Sequence, residues 1–121
     1  MADITIPNDF EILENSKSAN FILSAGDNNR DGRYVYQIDT TAASITASLG
    51  SVFTEGDILT FIDKARSFGT NAFTIDPGAG EDISLSFNGV QQNVVGGTDK
   101  LVLSIPVQLN LKLTADGWIN I

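Results

Sequence analysis

From Tyr34 to the end of the chain, apolar and polar side chains alternate with a period of two, and turn formers break the alternation about every eight to twelve residues. That period puts successive side chains on opposite faces of a strand and cannot build one apolar stripe along a helix. Tyr34, Tyr36 and Ile38 alternate with Val35 and Gln37, and Ile45, Ala47 and Leu49 alternate with Thr46 and Ser48. After the turn Thr54-Glu55-Gly56-Asp57, residues 58–63 (ILTFID) are more continuously apolar, as expected of a central or doubly covered strand. Residues 64–71 read as a polar loop around Gly69, and Phe73 and Ile75 restart the alternation. It ends at Asp76-Pro77-Gly78-Ala79-Gly80, where Pro and Gly forbid regular pairing.

The last third repeats the pattern. Ile83, Leu85 and Phe87 alternate with serines, Asn88-Gly89 is a strong two-residue hairpin signal, and residues 90–95 return antiparallel. Gly96-Gly97-Thr98-Asp99 turns the chain again. Strands follow at 101–105 and around Leu109, Leu111 and Leu113, and Asp116-Gly117 leads into a closing strand at 118–121. Val, Ile, Thr and Phe stand where strands favour them. The expected fold is all-β: an antiparallel β-sandwich or jelly-roll-like body over residues 34–121, with a small barrel giving the same single-sequence pattern.

Residues 1–33 read differently. Ile4, Ile6, Phe10, Ile12 and Leu13 are scattered among polar residues, and the segment closes in GDNNRDG, a cluster of turn formers. It is expected to be an N-terminal arm and first strand, with one short helical turn over residues 10–16 that is too short to stand alone. The apolar residues of the arm are the expected contacts with another subunit or a larger assembly.

Charge and composition narrow the chemistry. Fifteen acidic against seven basic residues give a net charge of -8, which disfavours nucleic acid and anionic membranes as partners. The chain has no Cys, so it can form neither a disulfide framework nor a thiolate zinc site, and it has no His, which excludes Ser-His-Asp catalysis in its usual form. No apolar run is long enough to span a bilayer, and residues 1–15 lack the basic-then-apolar order of a secretory signal, so a soluble chain is expected.

Asp27-Asn28-Asn29-Arg30-Asp31-Gly32 matches the first half of a calcium loop, with Asp27, Asn29 and Asp31 as candidate ligands. The second half fails: Ile38 stands where a bidentate Glu belongs, Asp39 comes one residue late, and no helix pattern flanks the loop. An Asx-rich turn is the favoured reading, and no metal or cofactor is expected. The glycines at 78, 80, 96 and 97 are not followed by Lys-Ser or Lys-Thr and read as turns. Glu55 with Asp57, and Glu81 with Asp82, read as solvated turn carboxylates rather than an acid-base pair. Lys64 and Arg66 form a small basic spot in a loop. Trp118, Tyr34 and Tyr36 are expected to anchor either the core or a subunit interface. No catalytic signature is present, and the chain is expected not to be an enzyme.

The succession YQIDTTAASITASL, then SVFTEGDILTFIDKARSFGTNAFTIDPGAGEDI, and a final DGWINI resembles a β-rich module of tailed-bacteriophage virion proteins, found in tail-fibre and collar chains and in small capsid-associated proteins. The likeness covers residues 34–83 well and the Trp118 end more loosely. Here the module makes up almost the whole chain, a departure from its usual place inside a long fibre. The resemblance therefore implies a capsid decoration or cement protein: a homotrimer on the virion's outer capsid surface that binds the major capsid protein and stabilises the head. The alternative it implies is a tail-fibre or receptor-binding module that recognises a host surface glycan or protein through loops such as residues 64–71.

Overall fold

The computed structural model describes residues 15–28 and 31–121, and their regular structure is almost all strand. Eleven strands follow one another: β1 (Asn15–Lys17), β2 (Phe21–Ile22), β3 (Arg33–Ile38), β4 (Ile45–Ser48), β5 (Ile58–Asp63), β6 (Phe73–Asp76), β7 (Ile83–Phe87), β8 (Val90–Val94), β9 (Leu101–Leu103), β10 (Gln108–Thr114) and β11 (Gly117–Asn120). A seven-stranded sheet has the order β1-β3-β5-β10-β11-β7-β8, and a four-stranded sheet the order β2-β4-β6-β9.

The expectation of antiparallel sheets is corrected: both are mixed. β3 pairs parallel with β1 and β5, β4 pairs parallel with β2 and β6, and β11 pairs parallel with β7. From β1 to β6 the chain alternates between the sheets, so strands two apart in sequence become parallel neighbours. The crossover that a parallel pair requires is here a strand of the opposite sheet. Period-two alternation says which side chains face inward and nothing of the partner's direction.

Two strand bounds also differ from expectation. The pairing of β9 stops at Leu103, two residues short of Ile105, which is exposed just before Pro106, a residue with no N–H to donate. Residues 15 and 16, the described end of the expected helical turn, lie in β1, and residues 15–28 contribute one short strand to each sheet. Ile4, Ile6, Phe10, Ile12 and Leu13 lie outside the described residues.

The inward faces of both sheets share one core. Tyr34, Tyr36, Ile38, Leu59, Phe61, Leu109, Leu111 and Trp118 come from the larger sheet, and Ile45, Ala47, Phe73 and Ile75 from the smaller. A file of rings links the two sheets: Phe21 to Tyr36 at 5.5 Å, Tyr36 to Phe61 at 5.5 Å, Phe61 to Phe73 at 5.4 Å and Phe73 to Phe68 at 5.3 Å. Each contact adds about 0.5–1.5 kcal/mol beyond area burial, and the file passes from β2 through β3 and β5 back to β6. Tyr34, Tyr36 and Trp118 are all buried in this core.

Candidate interaction surface

The β7–β8 hairpin turns at Asn88-Gly89, both with positive φ (51° and 81°), as the tight turn of a two-residue hairpin requires. Along it burial falls from base to tip. Ile83, Leu85 and Val94 are buried, whereas Phe87 and Val90, paired across the strands, are 54% and 69% exposed. Phe87 lies on the same face as Ile83 and Leu85, the inward face. The tip of the hairpin thus carries an apolar pair beyond the shared core.

The outward face of this region is polar and neutral. A cleft of about 590 Å³ is bordered by Ser84, Ser86, Gln91, Asn93, Ile119 and Asn120, among others. The Ser84 and Asn93 side chains lie 2.6 Å apart across the strands. Asn120 extends the pairing of β11 with β7: its Oδ1 accepts from the Ser86 N–H at 2.8 Å, and its Nδ2 donates to the Ser86 carbonyl at 3.0 Å. A side-chain amide here does what a backbone amide does in a ladder. None of the cleft-lining residues is ionisable, so the cleft offers hydrogen bonds and no acid, base or nucleophile activated by a neighbouring base.

Several of the carboxylates serve turns. Glu55, Glu81, Asp82 and Asp116 border a second cleft of about 370 Å³, but Asp82 accepts from the Gly96 N–H at 3.0 Å. Asp57 accepts from the Thr54 N–H at 2.9 Å. Among the described residues, no three potential ligands gather to hold a metal ion. Asp27, of the half-matched calcium loop, closes a short 3-10 turn: its carboxylate accepts from the Ser24 N–H at 3.2 Å and the Tyr36 hydroxyl at 3.0 Å. Asp31 is exposed with φ of 51°, and Asn29 lies outside the described residues. Burial first, then the bond to Asp27, holds the Tyr36 phenol far above its usual pKa. Burial and the charge of Asp57 raise that of Tyr34. The bond from Thr41 lowers the pKa of Asp39 at the surface.

Residues 64–71 are more ordered than a polar loop need be. The buried Asp63 carboxylate accepts from the Ser67 N–H at 2.9 Å and the Phe68 N–H at 3.0 Å, and Phe68 is fully buried. Thr40 and Ser67 hydroxyls meet at 2.7 Å, and Asn71 donates to the Thr40 carbonyl at 2.9 Å. This internal frame leaves Lys64, Ala65 and Arg66 exposed at the loop's rim, with Arg66 at φ of 54°.

Sequence reasoning placed the hairpin but missed the exposure of its tip, the Asp63 frame and the Asn120 bridge. One signal was available. Residues 83–98 form the longest run of the chain without a charged side chain, in a protein of net charge -8. Comparison with known protein families and with curated protein sequences finds no match.

Proposed function

We propose that this chain is a non-catalytic structural protein of a tailed-bacteriophage virion, held on the outer capsid surface by contacts with the major capsid protein and with copies of itself. The observation that carries the reading is the apolar, charge-free tip of β7–β8, where Phe87 and Val90 lie exposed on an otherwise acidic chain. Apolar surface without charge is what a protein partner covers, and the chain's net charge of -8 suits a position outside the shell rather than against the packaged genome. In this reading the two layers form a β-sandwich of the jelly-roll kind, and residues 1 to about 20 serve as an arm that grips the shell or an adjacent subunit. On the shell, as distinct from free solution, three copies is the assembly that the resemblance implies.

The rim of loop 64–71 favours a second reading, a tail-fibre module that binds a host surface glycan or protein. Lys64 and Arg66 stand exposed there on a frame fixed by Asp63, and a preorganised loop binds at lower entropic cost. Purified particles separate the two. The shell reading expects the chain at a copy number comparable with that of the shell protein, and cryo-electron microscopy should place it over the capsid. A low copy number confined to the tail would move the assignment to the fibre reading, and absence from particles would refute both.

A further inference from the structure

We infer that β8 is a pairing edge for a second copy of this chain, and that two β8 strands meet antiparallel about a twofold axis at Gln92. The inference rests on the reading of β7–β8 as an assembly surface and specifies its occupant.

Edge strands present unpaired backbone groups, and proteins usually blunt them with shortness, charge or proline. Three of the four sheet edges among the described residues are blunted in this way. β1 has three residues and ends in Lys17, β2 has two residues, and β9 has three residues between Lys100 and Pro106. β8, the remaining edge, has five residues, Val-Gln-Gln-Asn-Val, with no charge and no proline.

The backbone of β8 is set for a partner. Ser86 spends both its N–H and its carbonyl on Asn120, on the β11 side, so its cross-strand pair with Gln91 is of the kind that exchanges no hydrogen bond. The alternation of an antiparallel ladder puts Ser84 and Asn93 in the same class, whereas Val90, Gln92 and Val94 bond to β7. Gln91 and Asn93 therefore direct their backbone N–H and carbonyl groups outward, in the pattern an added strand reads. Val95 contributes nothing further, because its N–H is taken by Asp99 at 3.2 Å.

The occupant follows from self-complementarity. A twofold contact requires that residue i meet j while j meets i, and VQQNV is nearly palindromic about Gln92. In the register centred there, Gln91 faces Asn93 of the second copy and Asn93 faces its Gln91, so all the outward backbone groups of both residues find partners. Val90 faces Val94 of the second copy on the inward face, which sets the exposed tip of one hairpin against the buried base of the other. Gln92 faces Gln92. Although each copy carries a charge of -8, residues 83–98 carry none of it, so repulsion at the seam is weak and screened. One strand pair is small beside standard interfaces, so the dimer is concentration-dependent in free solution.

The test is opposite-charge substitution on the axis. Sedimentation equilibrium of the full chain should show a reversible monomer–dimer equilibrium. Gln92→Lys and Gln92→Glu should each weaken it roughly fivefold or more, and an equimolar mixture should restore pairing. Backbone amides of Gln91 and Asn93 should become protected from hydrogen exchange as concentration rises. Far-UV circular dichroism checks that the variants keep the fold, since Gln92 is exposed. A single-chain mass at every concentration overturns the inference. So does a dimer or trimer whose mass neither variant changes, or association that the mixture fails to restore. The virion assignment is read separately on particles and survives any of these results; absence from particles leaves the twofold pairing intact.

Discussion

Replacing Asp63 with Ala removes the acceptor for two backbone N–H groups at once, those of Ser67 and Phe68, held at 2.9 and 3.0 Å. A hydrogen bond to a charged group contributes about 1.5–3 kcal/mol, and a buried donor left without an acceptor carries its full desolvation cost. The Phe68 amide is buried and that of Ser67 half-buried, so the two losses together come to about 3–5 kcal/mol. At roughly 3–6 °C per kcal/mol for a chain of this size, the melting temperature should fall by about 10–25 °C. Asp63→Asn keeps one carbonyl oxygen and sets an N–H donor against the other amide, so it should lose about half as much or somewhat more. Thermal and urea unfolding of both variants beside the parent chain measure this. An unchanged urea slope would place the loss in the folded state rather than in compactness of the unfolded chain. A melting temperature for Asp63→Ala within a few degrees of the parent's, or Asn worse than Ala, would refute the claim that this carboxylate organises the loop.

Gly96→Ala should cost about 3 kcal/mol or more, because a Cβ there meets the backbone carbonyl oxygens of Glu81 and Gly78 and the chain must shift. Gly89→Ala meets no atom within 4 Å and pays only for its φ of 81°, about 1–2 kcal/mol, so urea midpoints should rank the two in that order. The folded pKa of the Tyr36 phenol lies above its ordinary 10.0, so its contribution to stability is full below about pH 10 and is lost as pH rises further. The loss should run at about 1.4 kcal/mol per pH unit for this group, and urea midpoints taken above pH 10 should fall less steeply for Tyr36→Phe. Trp118 is buried and its Nε1 has no hydrogen-bond partner among the described residues. Trp118→Phe removes that desolvated donor and should therefore destabilise by about 1 kcal/mol, far less than the roughly 3–5 kcal/mol of Trp118→Ala in the same unfolding assay.

How much of this was legible in the sequence depends on the distance over which each feature is encoded. Which side chains of β3, β4, β5 and β10 face inward is a local property, and the alternation at Tyr34-Tyr36-Ile38 or Leu109-Leu111 reports it directly. The Asn88-Gly89 turn is equally local, since two adjacent residues supply both positive φ values. Parallel pairing is not local: Tyr36 lies beside Phe61, and Ala47 beside Ile75, only because each crossover visits the opposite sheet. Phe68 illustrates a different limit. The Asp63 carboxylate under its amide and Phe73 against its ring are each only five residues away, but its immediate neighbours are not apolar and no alternation marks it as inward.

The candidate surface follows from the same geometry. β1 to β6 alternate between the layers and give each three strands, whereas of the five later strands four join the larger sheet and only β9 joins the smaller. The larger sheet thus has three strands more than the smaller, and β7–β8 lies at the far end of this surplus. A chain that kept this surplus as a monomer would be expected to guard it with charge, as Lys17 guards β1 and Lys100 stands before β9. The hairpin instead carries serine, carboxamide and valine, and its nearest charges in sequence are Asp82 and Asp99, outside the strands. Such a composition is costly to leave uncovered and inexpensive to pair. Substituting Lys for Gln92 supplies the missing guard, which makes that one position a measure of whether the edge is kept open for a partner.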